Sequence, residues 1–185
     1  MYYRISCDAE NYRNYILKKE EVKEGDELYR DKFDGSSQKD NYETQTFVMT
    51  RKREVSFPVA DIFFSDLPIC SERAKEVIES ICNEGEIEFL PCEVEATEGN
   101  YYILNVLGAE DCVDYDNSDF VRFSSGRIMF FNHIKFNKKI ERHFFRITDL
   151  INGFYFISEE TKEILEKADL KGLVFDNSLF IEKSN

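Results

Sequence analysis

The chain has 185 residues, enough to bury a substantial core, and carries 37 acidic against 24 basic side chains, for a formal net charge of −13. That balance argues against a nucleic-acid partner, because holding phosphates needs clustered positive charge. No apolar run approaches the roughly 18 residues of a membrane span, and no signal peptide is visible at the start, so neither membrane nor export is expected and a cytoplasmic protein is predicted.

The 17 Phe and 10 Tyr, with no Trp, predict a β-rich core filled by aromatic rings. Charge is uneven along the chain. Residues 1–60 carry 11 basic and 12 acidic side chains, 61–134 carry 4 and 16, and 135–185 carry 9 and 9. The acidity belongs to the central third, either as a solubilising surface or as a docking face for a basic partner. Five cysteines (Cys7, Cys70, Cys82, Cys92 and Cys112), odd in number and never closer than ten residues, fit neither a disulfide framework nor a zinc site. Free thiols in a reducing compartment are expected.

In chain order, Tyr2 to Cys7 reads as an opening strand, and residues 18–46, polar and charge-rich with Gly25 and Gly35, read as loop. Arg51-Lys52-Arg53 follows Phe47-Val48-Met49 near a strand end, and Asp61-Ile62-Phe63-Phe64 is a short apolar segment. Ser71 as N-cap, Glu72 in the first turn and Ala74, Val77, Ile78 and Ile81 at helical spacing predict a helix over 72–83, closed near Gly85. From Glu76 to Val121 there are thirteen acids and no Lys or Arg. Glu86-Ile87-Glu88-Phe89-Leu90-Pro91-Cys92-Glu93-Val94-Glu95, Glu98-Gly99-Asn100 and Tyr101 to Leu107 together predict a hairpin in the sheet interior. Glu86 and Glu88 differ in parity from Glu93 and Glu95. Both pairs face solvent only if the strand slips by one residue, and Pro91, which cannot donate to a ladder, predicts the bulge. Ala109 to Phe120 is an acidic loop, with strands expected again at Ile128-Met129-Phe130-Phe131 and at His143 to Ile147. Ser158, Glu159 and Glu160, with Thr161, Ile164, Leu165 and Ala168 as the apolar stripe, predict a second helix over 159–169 before Gly172.

The two helices read as copies. Ser71-Glu72-Arg73-Ala74-Lys75-Glu76-Val77-Ile78-Glu79 aligns without a gap on Ser158-Glu159-Glu160-Thr161-Lys162-Glu163-Ile164-Leu165-Glu166. Ser65-Asp66-Leu67 echoes Thr148-Asp149-Leu150, and Gly85 to Phe89 echoes Gly172 to Phe175 one residue shorter. The expected fold class is α+β with antiparallel sheet dominant and two similar strand-helix-strand units, around 62–90 and 145–176. A single domain over 1–185 is expected, with 1–60 the variable portion and 61–185 the core.

Chemistry is sparse. The eight glycines are too scattered for a phosphate loop, and Asp114 to Asp119 lacks the central Gly and the bidentate Glu of a calcium loop. His133 and His143 stand ten apart without further ligands at tight spacing. No cofactor, metal or catalytic set is expected, and the chain is not expected to be an enzyme.

Phe89-Leu90-Pro91-Cys92-Glu93-Val94, Tyr101 to Leu107, Asp111-Cys112-Val113-Asp114 with Ser118, Phe145-Arg146-Ile147, the Ser158-Glu159 helix and Gly172 to Phe175 resemble, in order, the signature of bacterial immunity protein family eleven, the myxococcal type. The resemblance covers about residues 61–176. It implies a polymorphic-toxin system in which the protein binds a cognate toxin and neutralises it, with no catalytic residues to carry over. Two readings stand: a stoichiometric toxin-binding protein using an acidic face, or a small enzyme or ligand-binding domain assembled from scattered polar residues. On the first, a basic toxin face is met by Glu86, Glu88, Glu93, Glu95, Asp114 and Asp116. A histidine pocketed beside Cys112 or an aspartate marks the second.

Overall fold

A computed structural model describes residues 1–18, 33–51, 55–65, 67–150 and 154–180. Part of the expected 18–46 loop (residues 19–32), Lys52 and Arg53 of the basic cluster, and Asp66 lie outside the described residues. No helix among the described residues is long and apolar enough to cross a membrane.

The elements run β1 (Tyr2–Cys7), β2 (Tyr15–Leu17), β3 (Gln45–Met49), β4 (Ile62–Ser65), β5 (Leu67–Ser71), α1 (Glu72–Glu79), β6 (Ile87–Val94) and β7 (Tyr101–Val106). They continue with β8 (Asp119–Arg122), β9 (Ile128–His133), β10 (Phe144–Phe145), β11 (Tyr155–Ser158), α2 (Glu159–Lys167) and β12 (Leu173–Asp176). One sheet is ordered β2-β3-β6-β7-β5-β4, a second β10-β11-β1-β12, and β8 and β9 form a separate ribbon. The ladders are antiparallel except for β3 against β6. This is the α+β fold expected, and the β6–β7 hairpin lies at the centre of the larger sheet.

The repeat is deeper than helices and flanks. Read from its far edge, the larger sheet begins β4-β5-β7-β6, and the smaller sheet reads β10-β11-β1-β12. The registers coincide. Ser71 and Cys70 stand opposite Tyr101 and Tyr102, as Ser158 and Ile157 stand opposite Tyr2 and Tyr3. Ile87 and Phe89 pair with Val106 and Leu104, as Leu173 and Phe175 pair with Cys7 and Ile5. The strand that follows β6 through a hairpin in the first unit is thus supplied in the second by the start of the chain. Tyr101-Tyr102-Ile103-Leu104 and Tyr2-Tyr3-Arg4-Ile5 occupy the same places.

Each helix starts directly from its strand because serine satisfies a free amide. Ser71 Oγ accepts from Ala74 N at 3.2 Å and donates to Asp61 Oδ1 at 3.1 Å; Ser158 Oγ accepts from Thr161 N at 3.1 Å. The tyrosine across the ladder then ties down the first-turn acid: Tyr102 OH donates to Glu72 Oε2 at 2.6 Å, and Tyr3 OH to Glu159 Oε2 at 2.8 Å. Lys75 and Lys162 pair with Glu79 and Glu166, each at 2.9 Å. Their ammonium groups lie over the tyrosine rings at 5.3 and 5.2 Å. Both helices are shorter than expected. The Ser80 hydroxyl donates to the Val77 carbonyl at 2.7 Å where α1 ends, and Asp169 takes a left-handed φ of 54° just past α2.

Both units turn equivalent faces to one shared core. Ile62, Cys70, Leu104 and Val106 meet Ile5, Phe144, Tyr155 and Ile157, with Ala74, Ile78 and Leu165 from the helices. The outer face of the larger sheet is covered around Phe47, Phe63, Ile69 and Ile103. The outer face of the smaller sheet packs Phe145 and Phe156 against Cys112, Ile134 and Phe131. Of the residues read as the stripe of α2, Thr161 and Leu165 are buried and Ile164 is only half-buried. The two units join at Gly172. Ile62 N donates to Lys171 O and Asp8 N to Gly172 O, so closely that a Cβ on Gly172 would stand 2.3 Å from Ala60 Cβ and 2.5 Å from Ile62 O.

Two sequence expectations are corrected. β6 pairs with β7 in unbroken register through Leu90, Pro91 and Cys92, so no bulge occurs at Pro91. The missing donor falls just before β3 joins the ladder at Cys92, an edge-like position that a proline tolerates, and the Pro91 carbonyl accepts from Tyr42 OH at 2.8 Å. Thr148–Leu150 forms a 3₁₀ turn, whereas Ser65 and Leu67 lie in paired strands; that upstream echo is therefore not a structural match.

In urea unfolding followed by far-UV circular dichroism, Ile78→Ala and Leu165→Ala should each cost about 2–4 kcal/mol, and Ile164→Ala less than either. Gly172→Ala should cost about 2–5 kcal/mol, since neither facing atom can rotate away and φ is +94°. Gly99 shares a positive φ but has nothing within 4 Å of an added Cβ, so Gly99→Ala should cost only about 1–2 kcal/mol.

Candidate functional site

The six acids singled out from the sequence do not share one surface. Glu88 is 1% exposed, on the face of β6 that also carries Leu90 and Cys92. Its carboxylate accepts from Ser37 Oγ at 2.6 Å, Gln38 N at 2.9 Å, Lys39 N at 3.2 Å and Asn105 Nδ2 at 3.0 Å. Burial pushes the carboxyl pKa up, but these donors outweigh it and hold the group below its ordinary value. Glu86 is 8% exposed and closes the turn after α1, accepting from Asn83 Nδ2 at 2.9 Å and Asn83 N at 3.3 Å. The expectation that both face solvent is wrong, and the reason is chemical. A carboxylate with enough donors can face inward, so the parity of acids along a strand does not report its wet face.

Apart from Asn105 of β7, the donors around Glu88 come from a loop laid across the sheet. Gly108 N donates to Gly35 O at 2.7 Å, Asn105 Nδ2 to Ser36 O at 2.9 Å, and Arg146 Nη1 to Phe33 O at 2.7 Å. Arg146 is itself buried, with its guanidinium over the Tyr155 ring at 5.8 Å. Arg142 reaches the carbonyls of Glu86 and Leu107 at 3.0 and 2.6 Å. This seam fastens the loop to the sheet and turns its polar atoms inward.

Glu93 and Glu95 are exposed along the β3 side of β6. Glu93 accepts from Thr46 Oγ1 at 3.1 Å and Glu95 from Met49 N at 2.9 Å. Asp116 is exposed and Asp114 half-buried in the loop before β8, where Asp114 accepts from Asn117 Nδ2 at 2.9 Å. Tyr115 donates to Asp149 and packs edge-on to Phe120. Nearby, Glu110 is paired with Lys138 at 2.9 Å.

His143 and the cysteines hold structural positions. His143 Nδ1 lies 2.9 Å from Thr161 Oγ1, which lies 2.9 Å from Ser158 Oγ. It thereby supports the cap of α2 as Asp61 supports that of α1. His133 stands opposite Asp119 at the end of the ribbon. All five cysteines are free thiols. Burial raises the Cys70 thiol and pushes Cys82, Cys92 and Cys112 up to about 12, which leaves them protonated and weakly nucleophilic. No group of three or more His, Cys, Asp or Glu side chains among the described residues could hold a metal.

The ribbon carries an exposed apolar face where the sequence predicts only an ordinary strand. Phe120, Ile128 and Phe131 face the core, while Val121, Phe123, Met129 and Phe130 are 37–44% exposed. The signal was Ile128-Met129-Phe130-Phe131, apolar at four successive positions where a ribbon buries only one face.

Because the Glu88 carboxyl is held below its ordinary 4.5, its contribution is full above that value and is lost as pH falls through the lower folded one. The protection factors of the Gln38 and Lys39 amides, taken against the intrinsic exchange rate at each pH, should therefore fall on acidification below about 4.5. Glu88→Gln should lower these protection factors already at pH 7 and flatten their pH response; Glu88→Ala should lower stability by about 3 kcal/mol.

Compared with known proteins, the chain matches the family model described as Immunity protein family (Imm11) over residues 2–179. The match takes in the first 60 residues, beyond the resemblance carried by the motifs. No curated protein matches the chain.

Proposed function

The chain belongs to the immunity protein family Imm11, and from that premise we propose that it binds a cognate bacterial toxin stoichiometrically and blocks it, without turnover of its own. The family match over nearly the whole length carries this reading. The proposed setting is a polymorphic-toxin system acting in the cytoplasm, where the five free thiols suit a reducing environment.

The acidic surface is proposed to act on encounter. Glu93, Glu95, Asp114 and Asp116 reach solvent and supply negative potential toward a basic toxin face, while Glu86 and Glu88 serve the fold. Charges of this kind raise association rates more than they lengthen residence. The family supports the partner class; the chain's own charge supports a basic face on that partner.

Two measurements test this. Candidate toxin domains from genes neighbouring this one are expressed singly, and co-expression of the chain should restore growth that one of them abolishes; persistent killing by all of them, with the chain expressed and folded, would overturn the reading. For steering, E93Q/E95Q/D114N/D116N keeps carbonyl acceptors for Thr46, Met49 and Asn117 while removing four charges. Its association rate at low salt should fall about tenfold and lose most of its salt dependence. Equal, salt-insensitive rates for both proteins would leave the acids a solubilising surface only.

A further inference from the structure

A two-stranded ribbon has little backing, so its outward face normally carries polar side chains. Here it does not. β8 and β9 pair only with each other among the described residues, and two irregularities interrupt four residues of pairing. Asp119 stands opposite His133 and Phe120 opposite Phe131, leaving Asn132 extra. Val121 stands opposite Phe130 and Arg122 opposite Ile128, leaving Met129 extra. Such bulges re-aim side chains. The second one turns Met129 outward beside Phe130, with Val121 across the ribbon and Phe123 at the turn.

The support beneath is firm. Phe120 packs on Phe131 with ring centroids 5.6 Å apart, and Phe123 N donates to Arg127 O at 2.8 Å across the turn. Arg122 is turned back, its Nη1 donating to Gly126 O at 2.7 Å and its guanidinium lying 4.7 Å from the centre of the Phe120 ring. The loop that leads into β8 carries half-buried Asp114 and exposed Asp116, and exposed Asp119 opens β8 itself. The patch therefore sets aromatic side chains and an adaptable thioether between Arg122 and Arg127 at the turn and the acids at the opposite end of the ribbon. Aromatic and methionine side chains are the groups enriched at interface centres, ringed by charges that set partner and rate.

We propose that the outward face of the β8–β9 ribbon is the toxin-docking surface, with Phe123, Met129 and Phe130 as its anchors. Its occupant is an apolar recess bordered by Lys and Arg on the toxin, facing Asp114, Asp116 and Asp119. The assignment rests on the toxin-binding reading above and adds to it the place of contact. It also separates two roles: the acids set the encounter rate, and the ribbon sets residence time.

The test uses the full chain and the toxin domain whose killing it relieves in co-expression, in a surface-based kinetic assay with hydrogen-exchange footprinting of the complex. F123S/F130S should keep the wild-type circular dichroism and unfolding midpoint, because both side chains lie outside the core. It should weaken binding about 100-fold, mostly through faster dissociation. F57S, at another exposed phenylalanine, should bind as wild type. The footprint on the wild-type chain should protect amides within 119–133 whatever the folding of the variants. Wild-type affinity in F123S/F130S, or a footprint confined to other strands, would overturn the docking face while leaving the immunity role intact. Failure of the wild-type chain to bind would overturn both. Concentration-dependent dimerisation of the wild type in sedimentation, abolished in F123S/F130S, would assign the face to a second copy of this chain and overturn toxin docking.

Discussion

The close approach at Gly172 is the constraint on which the architecture depends. The start of β12 is pressed against Ala60 and β4 with no space for a side chain, and the adjoining backbone bonds tie residues 8, 62, 171 and 172 together. Arg73 of α1 extends the joint to α2 by donating to the Ala168 carbonyl. With the units held this way, their equivalent faces meet in one core, and each helix closes its own side of it. A wider joint would leave Ile62, Ile5, Phe144 and Leu104 without partners, because neither four-stranded unit covers both of its faces alone.

Within each unit the same small set of side chains makes the change from strand to helix. A serine satisfies the first free amide, a tyrosine across the ladder binds the first-turn glutamate, and a lysine one turn later covers that tyrosine's ring. Recurrence at two places in one chain argues that the set is a folding device. It also explains why His143, the histidine with the best-defined bond, serves the fold. Its place in the first unit is taken by Asp61, which supports the cap by a different hydrogen bond.

The chain's acidity divides by surroundings. Glu86 and Glu88 are enclosed by amide and hydroxyl donors and hold loops in place. Glu93, Glu95, Asp114 and Asp116 reach water. A net charge of −13 thus overstates what a partner meets at close range, and the long acidic run from Glu76 to Val121 is spread over the turn after α1, the central hairpin and the loop before β8. On the proposed reading, neutralising a toxin calls for fast encounter and slow release, which need different chemistry. The exposed acids suit the first, and the aromatic ribbon suits the second.

By itself the sequence determined what depends on local period and local caps: the α+β class, both helix starts at Ser71 and Ser158, the central β6–β7 hairpin, and the kinship of the two helical segments. These are legible because serine caps, 3.6-residue stripes and turn glycines act within a few residues of themselves. Tertiary structure alone decided the rest. That Tyr2-Tyr3 completes the second unit as Tyr101-Tyr102 completes the first depends on strands distant in the chain pairing in one register. That Glu88 faces inward depends on donors contributed by residues 37–39, about fifty positions away. That Met129 and Phe130 remain uncovered depends on a bulge and on the absence of a third strand among the described residues, because hydrophobicity specifies a preference for burial but not whether a neighbour arrives to provide it.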